Sequence, residues 1–219
     1  MVLMTGMGRS GPSVRRVTST SVLLTGLLTG LGLIIAIGAQ NAYLLRQGLR
    51  RAPVVPLVAL CILADALLAF LAVAGIGAVV AAWPPFLTVA RWGGGLFVIG
   101  YGLHAAWRAL HPGESLTTQG AAVGSVRRSL VTMAALTFLN PHVYLDMTLI
   151  GSIANTHGTE GRWWFYAGML AGSTLWFSSL GLGARRLAPF FARPRAWQSL
   201  DAVIAVVMVS IGVGLIVGG

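Results

Sequence analysis

Apolar residues run along the chain in blocks of about 20, the length an α-helix needs to cross a hydrocarbon core, and short polar or Pro/Gly-bearing breaks separate the blocks. Cutting at the charges and at the Pro/Gly clusters predicts spans at 22–39, 54–78, 86–107, 130–153, 163–183 and 200–217. The stretch 52–90 carries one charge, Asp65, and is too long for one untilted helix, so Trp83, Pro84 and Pro85 mark a turn between the second and third spans. The longest polar segment, 108–128, contains Pro112, Gly113, Glu114 and Gln119 and has no composition for a core. The chain therefore divides into an N-terminal tail (1–21), a first three-helix half (22–107), a polar connecting loop (108–128) and a second three-helix half (129–219). The halves echo one another. Asn41 is followed by Tyr43 and Leu44, Asn140 by Tyr144 and Leu145, and Asp65 to Gly75 matches Ser173 to Gly183 in length. Chance similarity among Leu/Ala/Gly-rich helices is the competing explanation. An odd number of spans per half makes a true repeat inverted in the membrane. The expected fold is all-α integral membrane, with about six transmembrane helices in two inverted three-helix halves.

Composition removes the soluble alternative. Charged residues are 9% of 219 positions and hydrophobic residues 56%, whereas a soluble domain carries roughly 25% charged residues. The net charge of +10 does not point to nucleic acid, because the arginines fall in small groups between apolar blocks, where cytoplasmic loops carry them. All 15 basic residues are arginine, which reads as a coding bias and carries no mechanism. Arg46, Arg50 and Arg51, then Arg108, Arg127 and Arg128, then Arg185, Arg186, Arg193 and Arg195 share one side of a six-span topology, predicting that side to be cytoplasmic. Arg91 and Arg162 fall opposite. So do Arg9, Arg15 and Arg16 of the tail, which oppose the assignment and leave open a start at Met4 or Met7, another orientation, or five spans. The tail lacks a small-residue cleavage site and reads as uncleaved. The single cysteine, Cys61, excludes an intrachain disulfide or a CxxC redox pair. The lipid of the cell inner membrane is the expected surrounding of this multi-pass chain, and a homo-oligomer is left open.

Ionisable groups inside spans cost about 2.5–3.5 kcal/mol at the centre on insertion scales, so they face a cavity or a partner. Asp65, Arg91 and Asp146 are such groups. Asp65 and Arg91 are expected to pair across helices, in a coupling role or as structural glue. The segment IGAQNAYLLRQGL (37–49) sets the amides Gln40 and Asn41 between Gly38 and Gly48, which suits an opened helix whose backbone lines a cavity. FLNPHVYLD (138–146) does likewise: Pro141 cannot donate its backbone bond and frees a carbonyl near Thr137, Asn140 can satisfy exposed backbone, and Asp146 lies six residues on from Asn140. An ordinary proline kink with a polar cap is the alternative. Gly38 and Pro141 are thus the candidate helix breaks, and Gln40, Asn41, Asn140, Tyr144 and Asp146 the candidate pathway residues. His104, His111, His142 and His157 occur singly, so no metal site is expected, and no nucleophile set, cofactor motif or phosphate-binding loop is visible.

IGAQNAYLLRQGLRR, ADALL, RWGG, LNPHVYLD and GRWWFYAGMLAGSTLWF, in this order and spacing, together resemble the lysine/arginine exporter family within the wider lysine exporter superfamily. The resemblance covers nearly everything from Thr25 onward. That family usually has proline where this chain has Ala39, a departure that softens the first break and leaves the amide pair intact. The resemblance implies a secondary transporter whose substrate is a basic L-amino acid, and the placement of polar groups makes Gln40, Asn41, Asn140, Tyr144 and Asp146 the residues expected to bind it. Moving a positive charge out against an inside-negative potential costs about 2.3 kcal/mol per 100 mV, so exchange with inward protons is expected, with Asp65 or Asp146 as carrier. Export of neutral amino acids or metal cations on the same fold is the alternative.

Overall fold

The computed structural model describes residues 19–35, 38–50, 52–76, 82–111, 125–189 and 194–217. Most of the expected tail, and 112–124 of the expected connecting loop, lie outside the described residues. All described regular structure is helical: α1 (Ser19–Ile34), α2 (Ala39–Leu49), α3 (Val55–Val73), α4 (Pro84–Leu110), α5 (Val126–Phe138), α6 (Pro141–Asn155), α7 (Gly158–Leu187) and α8 (Pro194–Val217).

Local chemistry sets the boundaries. Prolines occupy the first turns of α3, α4 and α6, where a missing N–H costs nothing. α3 stops before Gly75, whose φ of 91° is a left-handed helix end, and Gly158 does the same for the turn into α7 at φ 74°. Two expected spans are not single helices. The first stops at Ile34 and resumes as α2 at 81° to α1; the fourth divides between Phe138 and Pro141, where proline cannot continue the hydrogen-bond ladder.

α3 and residues 195–217 of α8 are each long and apolar enough to cross a membrane, and the bent α1–α2 pair would make a third such span. α4 and α7, at 27 and 30 residues, reach about 40 and 45 Å at 1.5 Å per residue but carry more polar positions. Large apolar side chains such as Leu63, Val89, Leu96, Val131 and Val206 face outward, while Arg46, Ser173 and Asp201 are buried, the distribution that lipid imposes.

Glycines let two helix pairs approach closely. α1 packs on α7, where a side chain at Gly26 would enter the Phe165 backbone and one at Gly168 the Leu23 carbonyl. α4 packs on α8, where a Cβ at Gly212 would lie 2.8 Å from the Gly95 carbonyl. Gly168→Val is therefore expected to destabilise the protein by about 3 kcal/mol or more, since the obstacle is backbone that no rotamer change can clear. A thermal midpoint in detergent equal to that of the wild type would show the seam to be looser than it is here.

Candidate functional site

The first break gathers the polar residues. Gly38, with extended backbone, is the N-cap of α2 and offers no side chain to its first turn. Asn41 reaches back across the break, its Nδ2 donating to the Ile34 carbonyl at 2.6 Å, while its Oδ1 accepts from Trp176 Nε1 of α7 at 3.3 Å. Gln40 Nε2 is buried, with the Cys61 thiol as its polar neighbour among the described residues. Cys61, one turn from Asp65 on α3, lies within electrostatic range of both Gln40 and Asp65. Asp65 itself accepts a 2.8 Å hydrogen bond from the buried hydroxyl of Ser173. Ser173 and Trp176 are three residues apart on one face of α7, so α2, α3 and α7 meet at one polar centre. Of the sequence candidates it unites Gln40, Asn41 and Asp65.

The expected Asp65–Arg91 pair is not formed. α3 packs on α5, α6 and α7, while Arg91 sits on α4, which packs on α8. The Arg91 guanidinium lies 6.0 Å from the Trp92 ring, and its buried Nε has no hydrogen-bond partner among the described residues. Among the described residues, Asp65 is thus a carboxylate without an arginine partner.

The second break is built from the same parts in another order. Asn140 is the N-cap of α6, its Oδ1 accepting from the His142 amide at 3.1 Å. The last carbonyl of α5, Phe138, accepts the Tyr144 hydroxyl at 2.7 Å, and Thr137 bonds back to Met133. Asp146 is half-buried, one turn after the exposed His142 and three residues before the exposed Leu149, so it turns toward the outer side of α6 and makes no hydrogen bond or ion pair among the described residues. The structure does not unite Asp146 with Asp65.

A third cluster was not visible as such in the sequence. Asp201 of α8, 3% exposed, is clasped by two arginines. Arg46 of α2 donates through Nε at 2.8 Å and Nη2 at 3.3 Å; Arg108 of α4 donates through Nη2 at 3.0 Å and Nε at 3.4 Å. Arg108 also stands 5.7 Å over the Tyr101 ring. Arg46 and Arg108 look like loop charges in the sequence. The available signal was Asp201, an acid beside the arginine-rich connections.

Two helix breaks, a half-buried amide pair and a carboxylate without an arginine partner among the described residues thus gather polar groups inside an apolar helix bundle. The family described as LysE type translocator matches residues 31–219. The chain belongs to the LysE type translocator family. Family membership makes it a membrane transport protein and not an enzyme. A Mycobacterium tuberculosis protein provisionally named as an amino-acid transporter is 47% identical over 84% of this chain and 90% of its own length. The lysine exporter LysE of Corynebacterium diphtheriae is 34% identical over 86% of this chain and 95% of its own, and the arginine exporter ArgO of an Enterobacter strain is 34% identical over 86% and 90%. No solved structure matches this translocator.

Proposed function

We propose that this translocator exports basic L-amino acids, lysine or arginine, across the inner membrane in exchange for protons, through two inverted three-helix halves of a six-span fold. The observation that carries the reading is Asp65: a carboxylate at the meeting of α2, α3 and α7 whose hydrogen-bond partner is a hydroxyl, not a cation. Such a group can bind an ammonium or guanidinium, or a proton, but not both at once, which is the logic of exchange. The uncapped first turn of α2, with its positive dipole end and the Gln40 amide beside it, suits the substrate's α-carboxylate. The names of the relatives from Corynebacterium and Enterobacter favour lysine and arginine.

The packing supports the two halves. α1 and α2 of the first half lie on α7 of the second, and α5 and α6 of the second lie on α3 of the first, as a two-fold exchange requires; α4 and α8, the last helix of each half, pair with each other. α4 and α7 supply the length for two further spans, and α5 with α6 the broken sixth. In this reading Asn140 and Tyr144 line the second half's side of the path, and Asp146, on the outer side of α6, borders it.

The test is efflux of labelled arginine, lysine and threonine from proteoliposomes holding the purified protein. Arginine or lysine is expected to leave, faster with protons higher outside the compartment being emptied, and threonine to stay. Threonine leaving at the rate of arginine would move the protein to neutral amino acids, and efflux indifferent to a proton gradient would remove the exchange.

A further inference from the structure

We propose that Arg46, Arg108 and Asp201 form the gate that closes the transport path on the arginine-rich side of the membrane. The inference rests on the proposed exchange between two halves, taken to open the path to one side of the membrane at a time, and its geometry is independent of the substrate. α4 and α8 are one close-packed unit, sewn by Gly95 and Gly212. α1 and α7 are another, and α2 belongs with them, because a Cβ at Gly48 would lie 2.8 Å from the Gly181 carbonyl of α7. The charged cluster spans the two units: Arg46 comes from α2, Asp201 and Arg108 from α8 and α4. Arg46 lies five residues beyond Asn41 on α2, about 7.5 Å along the axis toward the arginine-rich connections, so the cluster stands between the polar centre and that face.

The two-to-one stoichiometry distinguishes a gate from static glue. Removing the lone partner of a buried acid strands a charge at great cost. Here, if α2 withdraws with Arg46, Asp201 remains held by Arg108 inside its own unit, and Arg46 is released into the mouth that has just opened. Neither ion is left buried and alone. A single pair across the seam would lack that property.

Cys61 reports on the gate without engineering. It is the chain's single cysteine, is fully buried, and lies beside Gln40 and Asp65. Inside-out membrane vesicles are treated with a membrane-impermeant maleimide, and Cys61 labelling is followed in time. Arg46→Gln is expected to label at least about tenfold faster than wild type, the population change that losing a charge-assisted pair of hydrogen bonds allows. The exchange Arg46→Asp with Asp201→Arg rebuilds the bridge with Arg108 still beside it and is expected to slow labelling again. Arg46→Lys keeps the charge and loses the two-pronged clasp, giving a smaller acceleration, and it carries the test if Arg46→Gln does not fold. Wild-type labelling rates in these single variants, a double variant as fast as Arg46→Gln, or an equal acceleration in right-side-out vesicles would each overturn the gate. Labelling needs no substrate, so gated labelling in a protein that exports neither lysine nor arginine would sink the substrate assignment and leave the gate standing.

Discussion

Asp65→Asn is expected to lower export of arginine or lysine by about a hundredfold, the scale of a lost charged contact, while the protein reaches the membrane in normal amount. The amide keeps the shape of the carboxylate and can still accept the Ser173 hydroxyl, so the fold has little reason to change. What disappears is the charge that a cationic substrate and a proton would compete for. Initial efflux rates, normalised to protein quantified by immunoblot of the same vesicles, measure the effect. Asp146→Asn is the control that gives the experiment meaning: half-buried on the outer side of α6, Asp146 is expected to matter less than Asp65. An Asp65→Asn protein that exports normally would remove Asp65 from both substrate binding and coupling.

Asn41→Ala is expected to cost about tenfold to hundredfold in export and, in addition, about 1–3 kcal/mol of stability. Its side chain makes two bonds that a methyl group cannot: donation to the Ile34 carbonyl and acceptance from Trp176. The first leaves a carbonyl bare at the end of α1, and the second unties α7 from the break. Asn41→Asp separates them, since it can still accept from Trp176 but cannot donate to Ile34. Efflux and detergent thermal midpoint for the two variants give the division. If both variants matched wild type in both measurements, the break would be held by packing alone.

Most of the helical segments can be read from hydropathy because lipid demands long apolar runs: the expected spans at 54–78, 86–107, 163–183 and 200–217 correspond to α3, α4, α7 and α8. The first and fourth were legible as places where a helix opens, through Gly38 and Pro141, but not as pairs of separate helices, the first pair bent by 81°. α2 is the reason: AQNAYLLRQGL is too polar to register as a span, and tertiary burial against α7 makes it a helix. Gln40, Asn41 and Asp65 stood out because polar groups are rare at that depth. Ser173 and Trp176 did not, since a small hydroxyl and an indole are ordinary in a membrane helix. The Asp65–Arg91 expectation failed for a related reason. Sequence identifies which charges need partners, but which helices are neighbours is decided by packing, here by glycine faces that draw α4 to α8 and leave α3 with α5, α6 and α7.

At both breaks the last carbonyl of one helix is held by a side chain of the next, Ile34 by Asn41 and Phe138 by Tyr144. A backbone donor can release a carbonyl only by unwinding a turn. An amide or a phenol does so by rotating about one or two bonds, a motion of picoseconds to nanoseconds where there is room. Either joint can therefore let go of its carbonyl without unwinding a helix. What such a release cannot supply is movement of the glycine-packed units against each other, a collective rearrangement that belongs to microseconds and milliseconds.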